Sequence, residues 1–306
     1  METNAQSLAV TTWDGFVGQT KMKDRLAIHI DAAREDCRPL EHVLLVGPFG
    51  TGKTSLARLI ADRVHDPLLE LTMPMDQRSL VAAFDSWAGG ILFLDEVHTL
   101  AKSQQDSLLS LLAEGYLQDR RGVRHQKKWL TVIAATTERD KVQKALFSRF
   151  QIAPEFETYE ASELAEIVRR MAYQVEVALP EEVCQALGQA AGGRPRNAEQ
   201  LVLAARALQT TSREVSAESI LALCNIDPDG LTELHRRLLD VLASQKNRAS
   251  QRTIAMMLQI PPDAVPDLER LPLEMGLIVY TPSGRELTAQ GISRQRGYEA
   301  REYERR

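Results

Sequence analysis

The residues Gly47-Pro48-Phe49-Gly50-Thr51-Gly52-Lys53-Thr54 fit the pattern G-x-x-x-x-G-K-[ST] and follow directly on the apolar run Val43-Leu44-Leu45-Val46. That is chemistry for a polyphosphate. Glycines let the backbone turn its N–H groups onto the anion, and the helix that follows aims its positive end at it. Lys53 reaches the outer phosphates and the Thr54 hydroxyl is a ligand for Mg2+. Gly47, Pro48, Gly50, Thr51, Gly52, Lys53, Thr54 and Ser55 are the expected contacts of a bound ATP. A second apolar run, Ile91-Leu92-Phe93-Leu94, ends in Asp95-Glu96. At the carboxyl edge of a parallel sheet these acids would lie beside the phosphate loop. Asp95 would hold the metal through its water shell, and Glu96 would orient and polarise the attacking water.

Phosphoryl transfer depends mostly on positioning and charge neutralisation, so the outer phosphate needs further donors. Ile133-Ala134-Ala135-Thr136-Thr137 is another apolar run ending in hydroxyls, similar to the sensor-1 position of AAA+ ATPases, with Thr137 the first choice and Thr136 the second. Arg149, in Phe147-Ser148-Arg149-Phe150, resembles the arginine finger by which subunits of that superfamily act on a neighbour's nucleotide. Arg196, in Gly193-Arg194-Pro195-Arg196-Asn197, resembles the sensor-2 arginine that couples a lid to the phosphates; Arg194 competes for that role. The expected catalytic set is Glu96, Lys53, Thr137, Arg149 and Arg196.

These residues need a scaffold, and the apolar pattern supplies one. Up to about Glu157, short apolar runs (His42 to Val46, Ile91 to Leu94, Leu130 to Ala134) alternate with helical periodicity (Met22 to Ala33, Ser55 to Val64, Gln104 to Leu112). This alternation predicts an α/β domain, a parallel sheet with helices on its faces. Ser103, three residues before Asp106, fits a helix start. From Ser162 to about Asn225 the strand signal vanishes and a small helical bundle is expected. Asp227-Pro228-Asp229-Gly230 punctuates the chain. Beyond it, amphipathic segments at Leu231 to Leu242 and Thr253 to Leu258 lead to two strands, Leu277 to Thr281 and Arg285 to Thr288, turning at Pro282-Ser283-Gly284. Helices followed by a hairpin predict a winged-helix domain. The expected domains are therefore 1–157 for the ATPase, 158–226 for a helical lid and 227–306 for the winged helix, whose Arg/Glu-rich end after Gly291 reads as a frayed or solvated helix.

Composition bounds the partners. A chain of 306 residues is long enough for two or three cores, and its net charge of −5 argues against a protein that coats nucleic acid by bulk charge, so any DNA contact must come from local basic clusters. The first ten residues lack the basic and apolar regions of a leader, and no apolar run could span a bilayer, so the expectation is a cytoplasmic protein without membrane contact. Cys37, Cys184 and Cys224 form no C-x-x-C pair and read as small buried hydrophobes, with no zinc site indicated.

Beyond the superfamily motifs, the chain resembles the RuvB family. Asp14-Gly15-Phe16-Val17-Gly18-Gln19, His42 to Pro48, Leu94-Asp95-Glu96-Val97-His98, Ala135-Thr136-Thr137, Phe156-Glu157-Thr158-Tyr159 and Gly193 to Asn197 all match its motifs. So do Leu238-Leu239, Met275-Gly276-Leu277-Ile278 and the wing Thr281-Pro282-Ser283-Gly284-Arg285. The resemblance implies a homo-oligomeric ring, usually hexameric, that pumps duplex DNA at a Holliday junction together with RuvA. It adds Phe16, Val17 and Tyr159 to the nucleotide pocket, places Glu114 to Tyr116 near the nucleotide, and makes Arg285 a DNA contact.

The departures from that pattern are local. The family's basic-Pro segment before the opening motif reads Leu8-Ala9-Val10 here, and family arginines of the wing are replaced by Tyr280 and Ser283. Pro266 and Pro272 fall in the expected third helix of the winged domain, which should be kinked or short. Between Glu114 and Leu130 the family's longer apolar hairpin, which docks RuvA, is replaced by a shorter basic stretch around Gly122 containing Arg120, Arg121, Arg124, Lys127 and Lys128. A solvated hairpin, a contact to DNA or an acidic partner, and retained RuvA docking all remain open for it. The leading expectation is an ATP-driven DNA motor. Protein remodelling by a RuvB-like ATPase and a nucleotide switch in a mobile-element or defence system are the alternatives.

Overall fold

The computed structural model describes residue 8 and residues 10–305, with side chains through residue 298. Two compact units emerge. The first runs up to Glu163 and takes in Arg194–Arg196, and the second comprises Leu164–Gly193 and the chain from Asn197 onward.

The first unit contains α1 (Thr20–Glu35), β1 (Val43–Val46), α2 (Lys53–Val64), β2 (Leu68–Thr72), α3 (Gln77–Ser86), β3 (Gly90–Asp95), α4 (Lys102–Glu114), β4 (Tyr116–Gln118), β5 (Arg124–Gln126), β6 (Leu130–Thr136) and α5 (Lys144–Phe147). Its main sheet has the order β1-β6-β3-β2, with all pairs parallel. Bridges from Val43 to Ile152 and Val46 to Glu155 extend it beyond β1. Successive side chains of a strand point to opposite faces, so an unbroken apolar run suits a sheet covered on both sides. Leu44, Leu92, Leu94, Val132 and Ala134 accordingly join one core with Leu80 and Phe84 of α3 and Leu108 and Leu111 of α4. Val43, Leu45, Ile91, Phe93, Ile133 and Ala135 join another with Leu26 and Ile30 of α1 and Leu56 and Ile60 of α2. The three predicted strands are the three central ones.

Two predicted details are corrected. Helix α4 starts earlier than Ser103: Ala101 is the cap and its N–H donates to the Gln104 side chain at 3.2 Å, leaving Ser103 inside the first turn. Cys37 is exposed, at a left-handed φ of 50°, whereas Cys184 is buried and Cys224 half-buried.

The second unit holds most of α6 (Ala161–Gln174), then α7 (Glu181–Ala190), most of α8 (Pro195–Thr210), α9 (Ala217–Cys224), α10 (Glu233–Ser244), β7 (Arg248–Ala249), α11 (Gln251–Leu258), α12 (Val265–Glu274), β8 (Ile278–Thr281), β9 (Gly284–Leu287) and α13 (Ala289–Arg305). Strands β7-β9-β8 form an antiparallel sheet, so the expected two-strand element has three. Thr281 pairs with Gly284, which makes the turn the two residues Pro282-Ser283 and puts Gly284 in the strand. A Cβ at Gly284 would lie 2.5 Å from the Ala249 carbonyl oxygen of β7, and its φ of 128° also excludes other residues. Helix α12 is short, with Pro266 in its tolerated first turn and Pro272 inside it. The Arg/Glu-rich end forms helix α13, and up to Tyr298 its side chains pin it. On α13, Arg294 donates to Asp227 at 2.9 Å, the Tyr298 hydroxyl also donates to Asp227, and buried Gln295 bonds Asp240 at 3.0 Å. Among the described residues no helix is long and apolar enough to cross a membrane.

Candidate functional site

The carboxyl edge of β1 runs into the phosphate loop, and Gly52 ends that loop in a left-handed conformation, φ 100°, without a side-chain cap for α2. The first N–H groups of α2, including the turn that carries Ser55, are thereby kept for an anion. Lys53 is only 5% exposed and donates to the carbonyls of Gly47 at 2.9 Å and Pro48 at 3.0 Å. Burial pushes its ammonium below the ordinary lysine value, while the charges of Glu96 and Asp95 pull it back up. Thr51 is buried and its hydroxyl bonds the Pro48 carbonyl at 2.9 Å.

Strand β3 delivers the acids to the same edge. Thr54 donates to Asp95 at 3.3 Å, and the other Asp95 oxygen accepts the Glu96 N–H at 3.0 Å. Burial first, then the neighbouring Glu96 charge, lifts the Asp95 carboxyl above its ordinary value against the pull of Lys53. A divalent cation would relieve that crowding, so this hydroxyl and carboxylate fit Mg2+. Glu96 has a left-handed φ of 53°, a strained backbone of the kind that clusters at working sites. Its carboxylate accepts from the Thr137 hydroxyl at 3.0 Å and the Thr137 N–H at 3.3 Å, and lies 3.2 Å from Nδ1 of His98. Thr137 is thus the hydroxyl that meets Glu96. Thr136 is fully buried, 3.1 Å from Nδ1 of His98, and accepts from the Glu138 N–H at 3.0 Å.

The sequence reading did not place His98 or Glu138 in the site. His98 spans Glu96 and Glu138, with Nε2 3.2 Å from the latter. Its position two residues after Glu96 was the available signal, but the 3-10 turn Val97–Thr99 that swings it back over β6 was not readable from spacing.

Phe16 is buried beneath Gly52, where a Cβ would come within 3.3 Å of its ring, and Val17 follows it half-buried. The buried Tyr159 hydroxyl donates to the Thr51 carbonyl at 3.1 Å, and burial together with Glu163 holds its pKa well above the ordinary phenol value. The Arg196 N–H donates to the Gly50 carbonyl at 3.3 Å, and its guanidinium stacks on Phe49. Arg149 is exposed just past α5, and its described contacts include none of Lys53, Asp95, Glu96 or Thr137.

The basic segment is the hairpin β4/β5, with Gly122 at its tip. It is anchored on α3: His125 Nδ1 lies 2.7 Å from Asp85, and Lys127 donates to the Asp85 carbonyl at 3.1 Å. Arg120, Arg121 and Arg124 are exposed, Arg124 stacking 4.4 Å over Tyr116. In the winged part, Arg285 turns inward. Its Nε is 2.7 Å from Glu269, whose side chain is 0% exposed, and the Tyr280 hydroxyl donates to the other Glu269 oxygen at 3.0 Å.

Comparison with known proteins agrees along nearly the whole chain. Residues 8–156 match the family described as Holliday junction DNA helicase RuvB P-loop domain, and residues 228–294 match the RuvB C-terminal winged helix domain. The chain is 32% identical over 307 residues to the Holliday junction branch migration complex subunit RuvB of Kosmotoga olearia, covering 93% of this chain and 90% of that protein. The Parafrankia protein of the same name is 32% identical over 294 residues, covering 90% and 83%. The solved structure of the Thermotoga maritima RuvB Holliday junction branch migration motor superposes with a TM-score of 0.84 at 27% identity, covering 94% of this chain and 98% of that one.

Proposed function

From the premise that this chain belongs to the RuvB family, we propose that it is an ATP-driven motor that moves duplex DNA at Holliday junctions. The P-loop ATPase chemistry is carried by one observation above all: Glu96, Asp95 and Thr54 converge at one sheet edge, with Thr137 holding the Glu96 carboxylate. On this reading the loop N–H groups and Lys53 bind the phosphates, Glu96 orients and polarises the attacking water, and Thr137 fixes the angle of that carboxylate. Thr54 and Asp95 would hold Mg2+, which would neutralise charge on the phosphates. Phe16, Val17 and Tyr159 shape the nucleotide pocket, and Arg196 reports on the outer phosphate.

Arg149, exposed and unattached to its own acids, suits a finger inserted into a neighbouring subunit, which requires a ring; six subunits is the number we adopt. RuvA is the proposed protein partner and the cytoplasm the proposed location. The working parts are residues 1–157, 158–226 and 227–306. The core drawn only from residues between Leu231 and Leu287 supports treating the last as a module with its own interior.

The test is the ATP hydrolysis rate of purified protein with and without four-way junction DNA, in the presence and absence of a RuvA. Stimulation by junction DNA is the expected result. A rate indifferent to every DNA but raised by a protein client would replace DNA with protein as the load.

A further inference from the structure

The β8–β9 wing of this chain carries a single arginine, and it is spoken for. Arg285 is neutralised by buried Glu269, donates to Gln251 at 3.3 Å, and lies 5.1 Å over the Tyr280 ring. Presenting it to a phosphate would strand the Glu269 carboxylate in a dry interior, a cost of several kcal/mol. Helix α12 offers nothing in its place. From Pro261 to Met275 the chain carries four carboxylates, Asp263, Asp267, Glu269 and Glu274, against the single Arg270, which is paired with Glu274 at 2.9 Å. An acidic helix repels a phosphate backbone.

Positive charge is available on the neighbouring strand instead. Strand β7 pairs with β9, placing Arg248 opposite Glu286 and Ala249 opposite Arg285. From there the exposed Arg248 guanidinium reaches the wing turn, donating to the Ser283 hydroxyl at 3.1 Å. It therefore stands over the wing turn itself. The chain enters β7 through Lys246 and Asn247, both left-handed at φ 58° and 66°, with the Asn247 carbonyl accepting from Leu287 N–H at 2.8 Å. That tight turn leaves Lys246 exposed beside Arg248. The stretch from Lys246 to Arg252 contains three cations and no carboxylate. Neither Lys246 nor Arg248 forms an ion pair with any described carboxylate, Glu286 included.

We propose that Arg248, backed by Lys246, is the wing's contact with the phosphate backbone of duplex DNA, taking the place of Arg285. The inference rests on the DNA-motor reading. Phosphate contacts from cationic side chains release counterions, so each one lost lowers the slope of log affinity against log salt by roughly 0.9.

The experiment measures binding of the full-length protein to a short duplex across a salt series. The variants are Lys246→Ala/Arg248→Ala, Arg248→Lys, and Glu269→Gln/Arg285→Gln, which discharges the buried pair on both sides. Thermal unfolding midpoints confirm that each is folded. The first variant should weaken binding and lower the salt slope by roughly 1.8 for two contacts, Arg248→Lys should keep the slope, and the discharged pair should leave it unchanged. A wild-type salt slope and affinity in Lys246→Ala/Arg248→Ala, with wild-type protein binding duplex normally, overturns the assignment and leaves the motor reading intact. A slope lost only in Glu269→Gln/Arg285→Gln overturns it in favour of Arg285. If the wild-type protein binds no duplex at all, the motor reading falls and this contact falls with it.

Discussion

The guanidinium of Arg196 lies 4.4 Å from the centroid of the Phe49 ring, so an aromatic side chain within the phosphate loop carries the arginine expected to sense the outer phosphate. The two segments also interlock through their backbones. The Arg196 N–H reaches the Gly50 carbonyl, and a Cβ at Gly50 would come within 2.9 Å of the Arg196 Cβ. A ring 48% exposed to water has no core role to explain it, but as a platform for a cation it contributes about 0.5–1 kcal/mol. Phe49→Ala should therefore weaken binding of a non-hydrolysable ATP analogue by about two- to five-fold, while Phe49→Tyr should retain it. In an Arg196→Ala background the Phe49→Ala effect should disappear, because a double-mutant cycle isolates the pair. Equal losses in both backgrounds would separate Phe49 from Arg196.

Glu96 is held from one side by Thr137 and met from another by His98, which makes its angle as testable as its charge. Lys53→Ala should abolish ATP binding. Glu96→Gln should bind ATP and lose about 10²–10⁴-fold in turnover, the range for a positioned acid–base group. His98→Ala should lower kcat by less and leave the affinity for ATP nearly unchanged, since His98 touches Glu96 and not the phosphate loop. Undiminished turnover in Glu96→Gln removes that residue from the chemistry.

The central sheet was legible because its strands are buried on both faces and read as unbroken apolar runs, Val43 to Val46 being the plainest. Strand β2 was missed because it lies at the sheet edge, with Glu70 and Thr72 exposed and only Leu71 buried. Helix α3 was not read from the sequence either; Asp76 caps it by accepting from the N–H groups of Arg78 and Ser79. The phosphate loop, the acid pair and Thr137 were readable because their spacing is their chemistry. The Arg285–Glu269 pair was not, since the two residues lie 16 apart and burial of Glu269 is a property of packing that no local pattern announces.

If Arg149 is a finger supplied to a neighbour, hydrolysis is a property of the assembly. Specific activity should rise with protein concentration. Arg149→Ala and Glu96→Gln proteins, each inactive alone, should recover part of the activity when mixed, because some interfaces then pair an intact Glu96 with an intact Arg149. Absence of recovery in rings proven to contain both variants rules out action in trans.

Helix α13 is pinned through Asp227, and that attachment depends on pH. Burial raises the Asp227 pKa, but the Tyr298 hydroxyl, the Leu231 N–H and Arg294 outweigh it and hold the carboxyl below its ordinary value. A depressed carboxyl stabilises the fold fully above the unfolded pKa of about 3.9 and loses that contribution as pH falls through its lower folded value. Asp227→Asn should accordingly lower the thermal midpoint at pH 7, and the gap to wild type should begin to narrow as pH falls below about 4. A gap that persists unchanged at pH 3 would assign the loss to hydrogen-bond geometry instead of charge.

The anchorage of the basic hairpin decides how it can be tested. His125 and Lys127 fasten it to Asp85 on α3, and Leu117 is fully buried, so the tip can be altered without unseating the base. Asp119 shapes the tip by accepting from the Arg121 and Val123 N–H groups, both at 2.8 Å, contacts that survive truncation of the side chains. Replacing Arg120, Arg121 and Arg124 by Ala should weaken duplex binding and lower its salt slope by roughly 0.9 for each phosphate contact removed, while the thermal midpoint stays near that of wild type. Arg285→Ala should do the reverse. It leaves the Glu269 carboxylate buried with only the Tyr280 hydroxyl, so it should cost about 3–5 kcal/mol of stability and change the slope little. Combining the hairpin variant with Lys246→Ala/Arg248→Ala then separates two grips from one. Slope losses that add mean both elements touch DNA, whereas an unchanged slope in the hairpin variant alone means that Arg120, Arg121 and Arg124 face a protein or solvent.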